Sequence, residues 1–150
     1  TVQLILFQCF LQVLPIMVGS IDLKNKRISP EKDINGMIEM LAEYIRRSHY
    51  PGRHSRFQSF FACKTIQDAE RFISLNHNAE GRVRYQGDIW LVQCDNVAFE
   101  GDMKFLDLGD CWIDAITKLH LYWAGEIGED PLKELLLKPP VTIVKKVKQL

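Results

Sequence analysis

The sequence predicts an α+β domain in which a mixed, strongly bent sheet of about six strands is flanked by three main helices. Two observations carry this prediction: capped helices alternate with short strand-like runs, and the C-terminal third is rich in strand patterns. The chain has 150 residues, of which 47% are hydrophobic, so it has the size and apolar content of one domain, residues 1–150.

The first 50 residues predict a strand followed by a helix. A buried first strand is expected around Leu4 to Phe10. Ser29-Pro30-Glu31 is typical of a helix start, with a serine cap, proline at the first helical position and an acidic residue in the first turn. Apolar residues then follow at helical spacing: Ile34, Met37, Ile38, Leu41 and Ile45. The helix is expected to end at Arg46-Arg47.

The opening stretch Val2 to Val18 is apolar enough to suggest a signal sequence or a membrane span. It contains three glutamines and Pro15, lacks a basic leader, and is short for a span of about 20 residues. We therefore predict a buried strand followed by a second apolar segment, with no membrane association, and keep a targeting role as the alternative.

The stretch Tyr50 to Ile73 organises the rest of the chain. Pro51-Gly52 predicts a turn. Residues 57–62 are apolar on both faces of a strand apart from Gln58 and Ser59, which predicts a buried strand with Ser59 in its middle. Thr65 and Asp68 then have the spacing of a capping box, in which the Asp68 carboxylate reaches back to the Thr65 N–H. The helix that follows is expected to bury four apolar residues: Ile66, Ala69, Phe72 and Ile73.

The second half of the chain predicts one more helix and several strands. We expect a loop at Ser74 to Gly87, then a strand at Asp88 to Cys94, then an extended or irregular stretch at Phe99 to Leu108. An amphipathic helix ended by Gly125 is expected to follow, and its apolar face is marked by Trp112, Ala115, Ile116, Leu119 and Trp123. Two strands are expected at the end, Lys133 to Leu137 and Val141 to Val147, separated by Pro139-Pro140.

Charge and cysteine content exclude several classes of function. Nineteen basic and nineteen acidic residues cancel, so a nucleic-acid partner is not predicted. The four cysteines are far apart, without a C-x-x-C pair or a histidine at ligand spacing, so no metal site is predicted. Three of them lie in apolar surroundings and are expected to be free buried thiols, as is usual in a reducing cytosol.

Several short motifs follow one another in an order that resembles a known family. After an Arg-rich, Pro-containing turn come Ser55-Arg56-Phe57-Gln58-Ser59-Phe60-Phe61-Ala62, then Asp102-Met103, Tyr122-Trp123-Ala124-Gly125, Pro131, Glu134 and Pro140-Val141. Over residues 40–147 the chain resembles a bacterial and phage family of uncharacterised domains assigned to the ADP-ribosyltransferase-like fold. The resemblance implies a split mixed sheet flanked by helices, with the central strand and the late strand side by side at the split.

The resemblance also implies an activity and a site. It suggests a mono-ADP-ribosyltransferase that uses NAD as substrate and modifies a macromolecular acceptor, with Glu134 as the catalytic carboxylate and Ser59 as its support. The residues implied to bind NAD are Gln8 on the first strand, Arg56, and the pair Phe60 and Phe61. The cleft is then lined by Ser59, Phe61 and Glu134, with Arg56 at its mouth and the loop 74–87 as a mobile flank. Such an enzyme is expected in the cytoplasm, or delivered into a host cell.

Each of these residues also has a plainer interpretation. Glu134 then faces solvent on an edge strand. If Glu134 is instead the catalytic carboxylate, Glu134→Ala is expected to abolish nicotinamide release while leaving the melting temperature within a few degrees, because an edge carboxylate contributes little to packing. Ser59 is a core serine bonded to backbone, Arg56 is solvated beside the turn, and the two phenylalanines are core. Relatives tend to carry His or Arg on the first strand, where this chain has Gln8 and Cys9. That difference favours the alternative function, a non-catalytic module that binds a nucleotide or a protein.

Overall fold

A computed structural model describes residues 2–7, 34–75, 88–107 and 111–149. The described helices are α1 (Ile34–His49), α2 (Ile66–Leu75) and α3 (Trp112–Ala124). The described strands are β1 (Val2–Phe7), β2 (Phe60–Cys63), β3 (Asp88–Cys94), β4 (Val97–Asp102), β5 (Lys133–Leu137) and β6 (Thr142–Gln149). The predicted helix start at Ser29 and most of the predicted loop 74–87 lie outside the described residues.

The six strands form one sheet in the order β4-β5-β2-β1-β3-β6. Every described pair of neighbours is antiparallel, so the α+β class is confirmed and the prediction of a mixed sheet is wrong. The central strand β2 and the late strand β5 are neighbours, as expected. Among the described residues, β1 pairs with β2 at two positions, Ile5 with Cys63 and Leu6 with Ala62, whereas β1 and β3 pair over six residues. The described sheet therefore has two three-stranded halves, β4-β5-β2 and β1-β3-β6, which meet at the β1–β2 pairing.

Alternation along the strands sorts side chains onto two faces of the sheet. On one face, Phe61 and Leu136 pack with α1 and α3, through buried residues that include Ile38 and Trp123. Further along the same face, Cys63 packs with α2. The opposite face has a separate cluster contributed by strands: Leu4, Ala62, Val92, Cys94, Leu135 and Leu137. The helices therefore cover one face of the sheet.

Local sequence signals explain the ends of two helices. Thr65 caps α2 by accepting from the Asp68 N–H (3.1 Å), although the Asp68 carboxylate accepts from the Thr65 hydroxyl (2.7 Å) rather than from its N–H as predicted. Helix α3 ends where Gly125 takes a left-handed conformation (φ 85°), which glycine adopts without strain. In the last turn of α3, the indole Nε1–H of Trp123 donates to the Ala42 carbonyl (2.8 Å), and this bond links α3 to α1.

The prediction of a strand from residue 57 differs from the structure. Residues 56–58 form a 3₁₀ turn capped by Ser55, so the strand starts at Phe60 and Ser59 lies before it rather than in its middle. The stretch predicted as extended or irregular from Phe99 belongs to strand β4 as far as Asp102 and continues as a 3₁₀ turn at Met103–Phe105. Of the described cysteines, Cys63 and Cys94 are buried free thiols and Cys111 is exposed. In the part of the chain that the structure describes, no helix is both long enough and apolar enough to span a membrane.

Candidate functional site

Glu134 occupies a buried position near the middle of the molecule. It lies on β5, which has β4 on one side and β2 on the other, so the strand is not an edge and the solvent-facing interpretation of Glu134 is wrong. Its side chain is only 1% exposed. Glu134 shares a sheet face with Leu136, so it points to the side covered by helices. A carboxylate in such a place is stable only when other groups compensate its charge.

Arg56 supplies this compensation. Its Nη1 forms an ion pair with Glu134 Oε1 and also donates to the Tyr122 hydroxyl oxygen (2.7 Å). Its Nε and Nη2 donate to the two carboxylate oxygens of Glu39 on α1, both at 2.8 Å. The guanidinium also lies over the ring of Phe61, 4.7 Å from its centroid. Arg56 is 4% exposed, so neither the predicted place at a cleft mouth nor the solvated alternative describes it.

Tyr122 completes the group and was not identified from the sequence as a site residue. It lies on α3, is fully buried, and donates its hydroxyl to Glu134 Oε1 (2.6 Å). Glu39 was also missed. Tyr122 stands one residue before Trp123 in the Tyr-Trp-Ala-Gly motif, and a buried tyrosine hydroxyl requires a polar partner. That requirement is the sequence signal that could have drawn attention to it.

The charges in this group do not balance. Arg56 carries one positive charge and is bonded to two carboxylates, Glu39 and Glu134, which leaves one negative charge in excess. Both described partners of Glu134 bond to Oε1, whereas Oε2 is buried and has no hydrogen-bond partner in the part of the chain that the structure describes. Buried polar atoms in folded proteins are nearly always bonded, so this oxygen is available to a further donor. We call Arg56, Glu134, Tyr122 and Glu39 the arginine cluster.

Burial and charge shift the titration of this cluster. Burial raises the pKa of Glu134, while the Arg56 charge and the Tyr122 hydrogen bond oppose that rise and the Glu39 charge adds to it. Burial also raises the pKa of Tyr122, so the phenol stays protonated and acts as a donor. Burial works against the charge of Arg56, but its two carboxylate partners outweigh it and raise the pKa of the guanidinium further. The cluster therefore contains a permanent cation.

The structure brings together some predicted site residues and separates others. Glu134, Arg56 and Phe61 are in one group. Ser59 is elsewhere: Phe60 pairs with Leu137, which sets Ser59 at the end of the β2–β5 pair away from Glu134, and its hydroxyl donates to the Ser55 carbonyl (2.8 Å). The Ser59 hydroxyl is thus bonded to backbone as in the plainer interpretation, but the residue is half-buried and not part of the core. Phe60 is 41% exposed and is not a core residue. Gln8 lies outside the described residues.

The other basic residues near the Pro-Gly turn have structural roles. Arg46 and Arg47 both bond to Glu43, whose Oε2 also accepts from the Ser55 hydroxyl (3.0 Å). Arg53 donates to the carbonyls of Trp123 and Ala124 at the end of α3. These contacts fix the turn between α1 and β2 and so position Arg56, which follows Ser55 directly.

Asp102 fixes the loop that leads to Glu134. Its Oδ1 accepts from the backbone N–H of Leu132 (2.8 Å) and its Oδ2 from that of Gly128 (3.1 Å). Asp102 is 1% exposed, and its Oδ1 also accepts from the N–H of Lys104 (3.1 Å). Because Leu132 is two residues before Glu134, this carboxylate determines where β5 begins and therefore where Glu134 lies.

Comparison with known proteins adds a family but no activity. The sequence profile of a family described as "Protein of unknown function (DUF2441)" matches residues 18–149 of this chain. A search of curated proteins finds no match.

Proposed function

The chain belongs to the DUF2441 family, and from the resemblance of its motifs together with the geometry of the site we propose that it is an NAD-dependent mono-ADP-ribosyltransferase in which Glu134 binds the nicotinamide ribose. One observation carries the proposal: Glu134 Oε2 is buried and has no partner among the described residues, while Oε1 is held by Arg56 and Tyr122. A carboxylate held on one oxygen and free on the other is ready to accept a hydrogen bond from a ligand hydroxyl.

The charge of the arginine cluster suits this chemistry. Cleavage of the bond between nicotinamide and ribose passes through a state in which the ribose resembles an oxocarbenium cation. The cluster has one negative charge in excess, and its surroundings are apolar, which strengthens its field on a nearby cation. In the proposed reaction, Glu134 stabilises the ribose cation while the bond between ribose and the nicotinamide nitrogen breaks, and the electron pair leaves with nicotinamide as a neutral molecule. A nucleophilic group of the acceptor then bonds to the ribose carbon and releases its proton to water.

The structure changes the roles that the resemblance implies. Arg56 and Tyr122, rather than Ser59, contact Glu134, so we assign them the supporting role. Arg56 is bonded to two carboxylates, which leaves it poorly placed to grip the pyrophosphate of NAD. Phe60 is partly exposed, but it shares a sheet face with Ala62 and Leu137, opposite to that of Glu134, so we no longer assign it the role of stacking on NAD.

The sheet supports the ADP-ribosyltransferase-like fold as part of the same proposal. Among the described residues, its two three-stranded halves meet at two pairs, Ile5 with Cys63 and Leu6 with Ala62, and Cys63 is near Glu134. Burial, with the Asp68 and Glu134 charges, raises the pKa of Cys63 to about 12, so the thiol is unreactive and does not compete as a nucleophile. We propose that NAD binds beside this junction of the two halves.

The test is the release of nicotinamide from NAD, followed by mass in the presence of candidate acceptor proteins. We expect release by the natural chain and loss of more than tenfold in Glu134→Gln, which removes the charge and keeps the shape. The matched control is Glu100→Gln on the adjacent strand β4, whose carboxylate bonds to Lys64 and not to the arginine cluster. Equal release by Glu134→Gln and the natural chain contradicts the assignment.

A second candidate is a non-catalytic module that binds a nucleotide. The observation in its favour is the closure of the site, since Glu134 is 1% exposed and already ion-paired. For this candidate we expect NAD or ADP-ribose to bind in calorimetry without release of nicotinamide. Absence of both binding and release rejects the two candidates together.

A further inference from the structure

Arg56 is shared between two carboxylates in different surroundings. Glu39 takes the Nε–Nη2 edge of the guanidinium through two bonds of 2.8 Å, and Glu134 takes Nη1. The Glu39 side chain is 20% exposed, whereas that of Glu134 is 1% exposed. Water therefore helps to stabilise the charge of Glu39, but Glu134 depends on Arg56 and Tyr122.

This sharing makes Glu39 an electrostatic competitor of Glu134. A single guanidinium charge compensates one carboxylate fully, or two partially. With Glu39 charged, part of the field of Arg56 at Glu134 is cancelled, so more negative charge is left on the unpaired Oε2. The described titratable groups that act on Glu134 are Arg56, Tyr122 and Glu39, and Cys63 lies close by with its proton retained.

We propose that Glu39 is a positioning residue: through its share of Arg56, it keeps the Glu134 carboxylate basic and its free oxygen strongly negative. The catalytic meaning of this inference rests on the function proposed above, because a more negative Oε2 binds the ribose hydroxyl and the developing cation more tightly. The charge sharing itself follows from the contacts of Arg56 alone.

The consequence has a definite sign. Removing the charge of Glu39 gives Glu134 the full field of Arg56, which favours the ionised form of Glu134 and lowers its pKa. The lower basicity then weakens the interaction of Oε2 with a ligand hydroxyl. A role confined to holding α1 in place predicts a loss of stability but no displacement of the Glu134 titration.

The experiment is a pH titration of the glutamate side-chain carboxyl carbons by ¹³C NMR in the folded protein. The Glu134 signal is assigned as the one lost in Glu134→Gln. We expect its midpoint to move to lower pH in Glu39→Gln and to stay near the natural value in Glu39→Asp, which keeps the charge. The control is Glu100→Gln: this variant removes one carboxylate charge on β4, where Glu100 bonds to Lys64 instead of Arg56.

Nicotinamide release measured across the same pH range supplies the second readout. We expect the acid limb of the rate profile to move to lower pH in Glu39→Gln, with a lower kcat at neutral pH. If the NMR midpoint moves but no variant releases nicotinamide, the charge sharing stands and the proposed function fails. An unmoved midpoint in Glu39→Gln, or an equal movement in Glu100→Gln, overturns the inference. If Glu39→Gln does not fold, Glu39→Ala, which also removes the charge, is titrated in its place, and an unmoved Glu134 midpoint there overturns the inference.

Discussion

Replacing Glu134 by alanine should destabilise the protein strongly, in contrast to the few degrees expected for an edge residue. Removing one partner of a buried ion pair costs about 3–5 kcal/mol, because the other charge is left without compensation. Arg56 keeps both bonds to Glu39, so we expect the lower end of this range, about 3 kcal/mol. In a chain of 150 residues this corresponds to a fall of about 6–12 °C in Tm.

Urea unfolding followed by circular dichroism measures this loss as a change in the free energy of unfolding. A matched control is Glu100→Ala on β4, because the ion pair of Glu100 with the exposed Lys64 contributes about 1 kcal/mol or less. A second comparison is the double variant Arg56→Met, Glu134→Leu. It is compared with Arg56→Met alone, which leaves the buried Glu134 without its counter-ion, so the double variant should be the more stable of these two. A loss below about 1 kcal/mol in Glu134→Ala, or a double variant no more stable than Arg56→Met, refutes the reasoning.

Three further outcomes are expected. Tyr122→Phe removes the hydroxyl that donates to Glu134 and should lower the free energy of unfolding by about 1.5–3 kcal/mol in urea titrations, with slower nicotinamide release. Gly101→Ala places a methyl group 2.6 Å from the Tyr122 ring and 2.7 Å from Phe99, both buried, and should lower Tm at a cost of about 1–3 kcal/mol. Burial opposes the charge of Glu43, but its arginine partners outweigh burial and lower the pKa of Glu43 to about 2. The stability that this carboxylate contributes is therefore complete above pH 4.5 and is lost as pH falls towards 2. In acid unfolding, the free energy of unfolding of Glu43→Gln should fall over this range by on the order of 2 kcal/mol less than that of the natural chain.

The elements with local signals were predictable from the sequence. Strands β3 and β5 have the predicted bounds. Helices α2 and α3 begin or end at the predicted residues Thr65 and Gly125. In each case the deciding interaction joins residues close in the chain: a cap, a left-handed glycine or an alternating pattern.

The site was harder to predict because its contacts are distant in sequence. Arg56 and Glu134 are 78 positions apart, and Arg56 and Tyr122 are 66 apart. Nothing near Arg56 indicates whether it is solvated or paired, since an arginine after a Pro-Gly turn suits both. Likewise, Lys133 and Leu135 flank Glu134 without showing that β5 is an inner strand, which depends on the neighbours that β4 and β2 provide.

The sharing of Arg56 also constrains how this protein can change by single substitutions. Loss of Arg56 alone leaves the buried Glu134 without its counter-ion, and loss of either carboxylate changes the charge that the other experiences. Variants in which only one or two of these three residues are replaced are therefore less stable than both the natural chain and a variant in which all three are apolar. We expect DUF2441 proteins to inherit these three positions as a unit, keeping all of the charges or losing them together.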